Sequence, residues 1–129
     1  MAEPPVDITR LPNPRFCYLE IPALDARASA AFYAAVFGWK LRQRETAAPR
    51  FDDACGVVSG MWVTGRAVAA EPGLLPSIMV DSIAATLERV RAHGGGVAKE
   101  PAPDAPGSAC LVAWFRDPAG NILGLYQEG

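Results

Sequence analysis

FYAAVFGWKL, residues 32–41, decides how the chain is read. Phe32 and Val36 stand four apart, as do Tyr33 and Phe37, and that spacing makes one apolar helical stripe. Gly38 follows, the residue that ends helices in the left-handed conformation. Trp39 then opens a strand-like run, WKLRQRE. Upstream, RFCYLEI (15–21) reads as a strand closed by Pro22. Asp25 is placed to cap the helix by accepting N–H groups of its first turn.

The second half repeats the scheme. LPSIMV is strand-like, and Asp81 or Ser82 caps the next helix. Ile83, Leu87 and Val90 occupy i, i+4 and i+7, and His93 closes the helix before Gly94-Gly95-Gly96. GGVAKE starts another strand. Asp25 and Asp81 are 56 positions apart, as are Gly38 and Gly94. The same shift lays Ala34 on Val90 and Leu41 on Val97, which supports an internal duplication. Strand-like runs follow each helix: RFDDACGVVSGMWVTG in the first half, SACLVAWFR and ILGLYQ in the second. Between the last two, Asp117-Pro118-Ala119-Gly120-Asn121 carries turn chemistry.

The expected fold is α+β: two tandem βαβββ units, about residues 15–66 and 74–127, forming a curved mixed sheet around a cleft, with helices on the outside. Residues 15–129 form one domain after a polar, Pro-rich lead-in at 1–14. AVAAEPGLLP links the units, and PAPDAPGS (101–108) is a loop that flanks a cavity mouth.

The 129 residues carry a formal net charge of -2 and no Lys/Arg cluster, so nucleic acid is not an expected partner. No apolar run reaches the ~20 residues of a membrane helix. The first residues lack a secretion signal's apolar core, so the expected location is cytoplasmic. Cys17, Cys55 and Cys110 are widely spaced and odd in number, which reads as buried reduced thiols rather than a disulfide framework.

The duplicated pattern resembles the vicinal-oxygen-chelate superfamily, which includes glyoxalase I, bleomycin-resistance proteins and extradiol dioxygenases. The residues that carry the resemblance are Asp25, Phe32-Tyr33, Phe37-Gly38-Trp39 and Phe115-x-Asp117-Pro118-x-Gly120-Asn121. Glu20-Ile21-Pro22 with Phe37-Gly38-Trp39 is similar to an SgaA-like branch. The resemblance implies that Phe32, Val36 and Phe37 pack the first helix on its sheet, that the chemistry lies in the cleft, and that the chain pairs as a homodimer. It also implies four metal-ligand positions in metal-dependent members, filled by His, Gln or Glu. Here they fall on Tyr18, on Met61 to Val63, near Leu75 and on Gly124. None suits a divalent ion, so no metal or other cofactor is expected.

Strand alternation assigns the cleft. Cys17, Leu19 and Ile21 face the helices, and Phe16, Tyr18 and Glu20 face the cleft. Leu123 and Leu125 enter the core, while Ile122, Gly124 and Tyr126 face the cleft. Trp62, Trp114 and Arg116 join this candidate ligand-binding set. An aromatic lining with few polar groups suits a small molecule. Glu20 has two readings: a desolvated carboxylate with a raised pKa acting as general base, or the partner of an arginine such as Arg50 or Arg116. The expected function is metal-independent small-molecule binding. A glyoxalase-type lyase or isomerase using Glu20 is the alternative, and a dimeric interaction module the second alternative.

Overall fold

The first helix begins where its cap allows. Asp25 is extended, and its carboxylate accepts the N–H groups of Arg27 and Ala28. Helix α1 (Ala26–Phe37) then runs to Gly38, whose φ of 71° stops it. It buries Ala26, Ser29, Ala30, Phe32, Tyr33 and Val36, the positions of one helical face. Helix α2 (Ile83–Ala92) repeats the design with Ile83, Thr86, Leu87 and Val90 buried. Its cap is Ser82, which accepts the Ala85 N–H, and not Asp81. Gln127 takes the Ile83 N–H as a second cap.

These are the elements of a computed structural model that describes residue 7 and residues 10–129. Positions 1–6, 8 and 9 of the expected lead-in lie outside the described residues. Around α1 stand β1 (Tyr18–Pro22), β2 (Lys40–Arg42), β3 (Arg50–Asp52) and β4 (Ser59–Val63). Around α2 stand β5 (Ser77–Met79), β6 (Gly96–Pro103), β7 (Leu111–Arg116) and β8 (Ile122–Gln127). The two four-stranded sheets have the same order, β1-β4-β3-β2 and β5-β8-β7-β6. In each, the first strand pairs parallel with the last and the other pairings are antiparallel. Two βαβββ units of one design therefore stand in tandem.

Gly60 marks how tightly β1 and β4 approach: a Cβ there would lie 1.9 Å from the Leu19 carbonyl oxygen and 2.5 Å from Cζ of Phe51. The Pro-rich stretch from 101 corrects its reading as a loop. Residues 101–103 continue β6, the outermost strand of its sheet, where proline is tolerated because its missing N–H faces no partner. The pairing of β6 with β7 is irregular there, with register shifts on both sides of Lys99.

One core joins both units. Ile21, Phe32, Tyr33, Trp39, Phe51 and Trp62 cluster with Ile83, Leu87, Val90, Ala113, Phe115 and Leu125. Tyr33 stacks on Trp39 with ring centroids 4.7 Å apart, and Phe32 lies 6.1 Å from Phe115 of the second unit. Arg89 of α2 donates to the carbonyl of Val36 at the end of α1, so the helices are tied to each other directly.

The Asp117–Asn121 turn is a second tie, and its role goes beyond turning the chain. Asp117 is buried, and its Oδ1 accepts the N–H groups of Ala119, Gly120 and Asn121. Its Oδ2 accepts the Tyr33 hydroxyl at 2.8 Å and the Asn121 amide at 2.9 Å. Burial first, and then the Asp117 charge, push the Tyr33 phenol well above its ordinary value, so it stays a donor. Asn121 also donates to the Pro22 carbonyl of β1 and accepts the Ala69 N–H of the linker. The turn thus clamps α1, β1 and the linker to the second sheet. Among the described residues no helix is long and apolar enough to cross a membrane.

Candidate functional site

Each sheet has one face covered by the core and one open face. In β1 the alternation places Ile21 in the core, while Tyr18 and Glu20 face outward. Register fixes their neighbours. Tyr18 aligns with Ser59 and Glu20 with Met61 on β4; Asp52 and Arg50 of β3 continue those rows, followed by Lys40 and Arg42 of β2.

The second open face follows the same logic. Trp114 lies beside Gly124, which lies beside Ser77. Val112, Tyr126 and Met79 form the adjacent row, and Arg116 stands opposite Ile122. The Lys99 ammonium sits 5.3 Å from the centroid of the Trp114 ring. Tyr126 is half-buried and shares a hydrogen bond with Cys110, which pushes the phenol up to about 12 and lowers the thiol.

Register puts Trp114, Arg116, Ile122, Gly124 and Tyr126 on one face of the second sheet and Tyr18 and Glu20 on the open face of the first, but Ile122 and Gly124 are buried, which corrects their reading as open cleft residues. Glu20 and Ile122 line one shared hollow with Leu19, Pro22, Leu74 and Pro76. Its volume is about 70 Å³. Ligand pockets run to ~300–1,000 Å³, so the hollow alone is too small for a drug-sized ligand.

One further expected site residue is corrected. Trp62 is 1% exposed and packs among Tyr33 and Phe51 in the core. Its position in β4 is odd relative to Met61, so alternation sends it inward. Phe16 is 93% exposed and lies ahead of β1, so its side is not set by strand alternation, and its part in a ligand site stays an expectation. The thiols are corrected as well. All three cysteines are free, but Cys17 and Cys55 are exposed, the first ahead of β1 and the second in the turn between β3 and β4.

Glu20 is not a desolvated base. Its Oε1 lies 2.8 Å from the Arg66 guanidinium, and its Oε2 accepts the Tyr18 hydroxyl at 3.1 Å. The bond from Arg66, and then that from Tyr18, hold the carboxyl below its ordinary value of 4.5. The partner is neither Arg50 nor Arg116. Arg66 follows β4 in the sequence, and the parallel pairing of β1 with β4 brings the two together. Because the folded carboxyl is the stronger acid, the pair contributes above the ordinary value and is lost as pH falls through the depressed one. A carbon-detected titration of Glu20 is expected to show a midpoint below 4.5, and Arg66→Gln to move it upward. A midpoint at or above the ordinary value would contradict the pairing.

The residues at the family's metal positions do not fit a divalent ion. Tyr18 is bound to Glu20, and Met61 and Leu75 carry no hard donor. Gly124 is not an empty space: a Cβ there would lie 2.3 Å from the Ser77 hydroxyl and 3.3 Å from the Leu75 side chain. Among the described residues, no three His, Cys, Asp or Glu side chains cluster as a metal site.

Paired βαβββ units with this signature turn define a protein of the glyoxalase/bleomycin-resistance/dioxygenase type. The chain belongs to the glyoxalase-like domain family, which matches residues 18–125. It is 27% identical over 130 residues to a lactoylglutathione lyase of Arabidopsis thaliana, matching 91% of this chain but 45% of that protein's length. The chain therefore spans less than half of that relative. Its fold is similar to that of a glyoxalase/bleomycin resistance protein/dioxygenase family enzyme from Burkholderia phytofirmans, with TM-score 0.70, 18% identity, and coverage of 85% and 95% of the two chains. It is also similar to the fosfomycin resistance protein FosX of Listeria monocytogenes, with TM-score 0.71, 15% identity, and coverage of 89% and 91%. A variant of FosX was solved in complex with manganese(II).

Proposed function

We propose that this chain binds a small planar or amphipathic molecule on its open sheet faces, without a metal ion at the position metal-dependent relatives use. The observation that carries this reading is the pair of facts at one place. The open faces present Tyr18, Met61, Trp114 and Tyr126, while the positions that the resemblance assigns to metal ligands hold side chains that do not bind hard cations. The reading includes a homodimer in the cytoplasm. The hollow between β1 and β8 is too small for a ligand, and β1 and β5 are outermost strands, each paired on one side only. A second copy supplies the missing wall.

The test is a thermal-shift screen of a broad small-molecule library, followed by amide mapping of each hit. Hits that perturb Tyr18, Met61 and Trp114 support the reading; an empty screen sinks it. Light scattering at micromolar concentration is expected to give twice the chain mass, and a monomer would remove the second wall.

A glyoxalase-type lyase is the second reading, favoured by the likeness to the Arabidopsis enzyme. It ranks lower because Arg66 makes Glu20 a weaker base. Unchanged turnover by Glu20→Gln on any substrate found would exclude Glu20 from the chemistry. A pure interaction module is separated by the same screen, since its faces take no small molecule.

A further inference from the structure

The open face of the first sheet is unevenly charged. It carries Lys40, Arg42 and Arg50 from β2 and β3, and Arg66 reaches it from the turn after β4. Against these four cations stand the carboxylates of Glu20 and Asp52. The chain as a whole has a formal net charge of -2, so this positive excess is local. Both carboxylates are already engaged. Glu20 is held by Arg66 and Tyr18, and Asp52 by Arg42 at 3.1 Å and by the Ser59 hydroxyl at 2.6 Å.

Arg50 is left over. The residue is half-buried, and its side chain makes no hydrogen bond or ion pair among the described residues. Its direct cross-strand neighbour on β2 is Arg42. Like charges at such a position destabilise a sheet, and Arg42 is turned to Asp52. On the other side of Arg50 is Met61, and beyond Met61 is Glu20. The charge of Arg50 reaches the Tyr18 phenol, which places the two groups in one electrostatic neighbourhood. A guanidinium with five unused donors and a cation opposite is a binding point for an oxyanion.

We propose that Arg50 anchors the anionic group of the ligand. This rests on the small-molecule reading above and narrows it: the ligand is a small amphipathic oxyanion, a carboxylate or a phosphonate. Its charged end lies on Arg50, and its apolar body crosses Met61 toward Tyr18. From Arg50 to Glu20 is two strand spacings, about 10 Å, so a body of one ring fits between them. The Tyr18–Glu20–Arg66 group closes the far end with polar atoms.

The test uses isotope-labelled protein and three probes of like size: benzoate, phenylphosphonate and the neutral benzyl alcohol. The anions are expected to shift the Tyr18, Met61 and Arg50 signals and to bind on the order of 10-fold or more tightly than benzyl alcohol. Arg50→Gln is expected to erase that difference, Arg50→Lys to keep part of it, and Arg66→Gln to keep most of it. Arg50→Gln removes a like charge opposite Arg42 and is expected to keep the fold, which its amide spectrum checks. A preference for benzoate or for phenylphosphonate supports the proposal and identifies the oxyanion. Equal binding of all three probes on this face overturns the Arg50 assignment and leaves the small-molecule reading standing. So does anion preference that survives in Arg50→Gln. If no probe perturbs the face at all, the small-molecule reading falls and this assignment falls with it.

Discussion

Asp117→Ala is expected to destabilise the chain by about 3–5 kcal/mol, the usual cost of removing one partner from a buried, charged hydrogen-bond network. The loss is large because five donors converge on this carboxylate: three backbone N–H groups, the Asn121 amide and the Tyr33 hydroxyl. The Gly120 N–H keeps the Asp117 backbone carbonyl and the Asn121 amide keeps Pro22, but the Ala119 and Asn121 N–H groups and the Tyr33 hydroxyl lose their acceptor, and each such buried group costs roughly 1–3 kcal/mol when it finds no substitute. Relaxation and water entry reduce the sum. Tyr33→Phe removes a single donor and is expected to cost about 1–2 kcal/mol. Urea titration of the three proteins checks the order. A loss for Asp117→Ala no larger than for Tyr33→Phe would show that the turn does not clamp the units.

Trp62→Ala is expected to cost about 3–5 kcal/mol, the range for removing a buried Trp or Phe side chain. Trp62 is packed on every side, with Phe51 at 4.9 Å and Tyr33 at 5.8 Å between ring centroids. Its indole N–H has no hydrogen-bond partner, so its contribution is packing alone. Trp114 offers the contrast. It is half-buried on the open face, beside a glycine and under the Lys99 ammonium. Trp114→Ala is expected to cost about 1 kcal/mol of stability, as loss of one partly exposed contact set does. It is expected to weaken ligand binding instead. If the two substitutions destabilise equally, Trp114 is a core residue and the open face loses its main aromatic.

The same two tryptophans show what the sequence reveals and what it hides. The helices were legible because caps and stripes are local: Asp25, Gly38 and the four-residue spacing all lie within one segment. So was the repeat, although α2 takes its cap from Ser82 rather than Asp81, one position later than the duplication offset suggests. In β8, Leu123 and Leu125 were legible as core residues, but Ile122 and Gly124 are buried as well, because the other face of this strand is covered beside the linker and β5. Trp62 was not legible, since β4 carries Met61, Trp62 and Val63 in succession, and an apolar run has no visible phase. Phe16 lay beyond the reach of alternation because strand pairing begins only at Tyr18.

Glu20 shows the other limit. Its position was readable, but its pKa direction was not, because it depends on Arg66, which lies across a parallel strand pair. No local spacing encodes that contact. The Asp117–Asn121 turn was recognised for its turn chemistry. Its inter-unit role needs Tyr33, which is 84 residues away. Long-range partners decide the chemistry at both places.

The most direct test of metal-independent binding is native mass spectrometry of the protein, purified without chelator and then offered manganese, zinc, nickel and iron(II) in turn. The account predicts masses of bare chains, paired, with no ion retained at stoichiometric metal. One tightly held divalent ion per chain would contradict it, and would return Tyr18, Glu20 and Met61 to consideration as the walls of a metal centre.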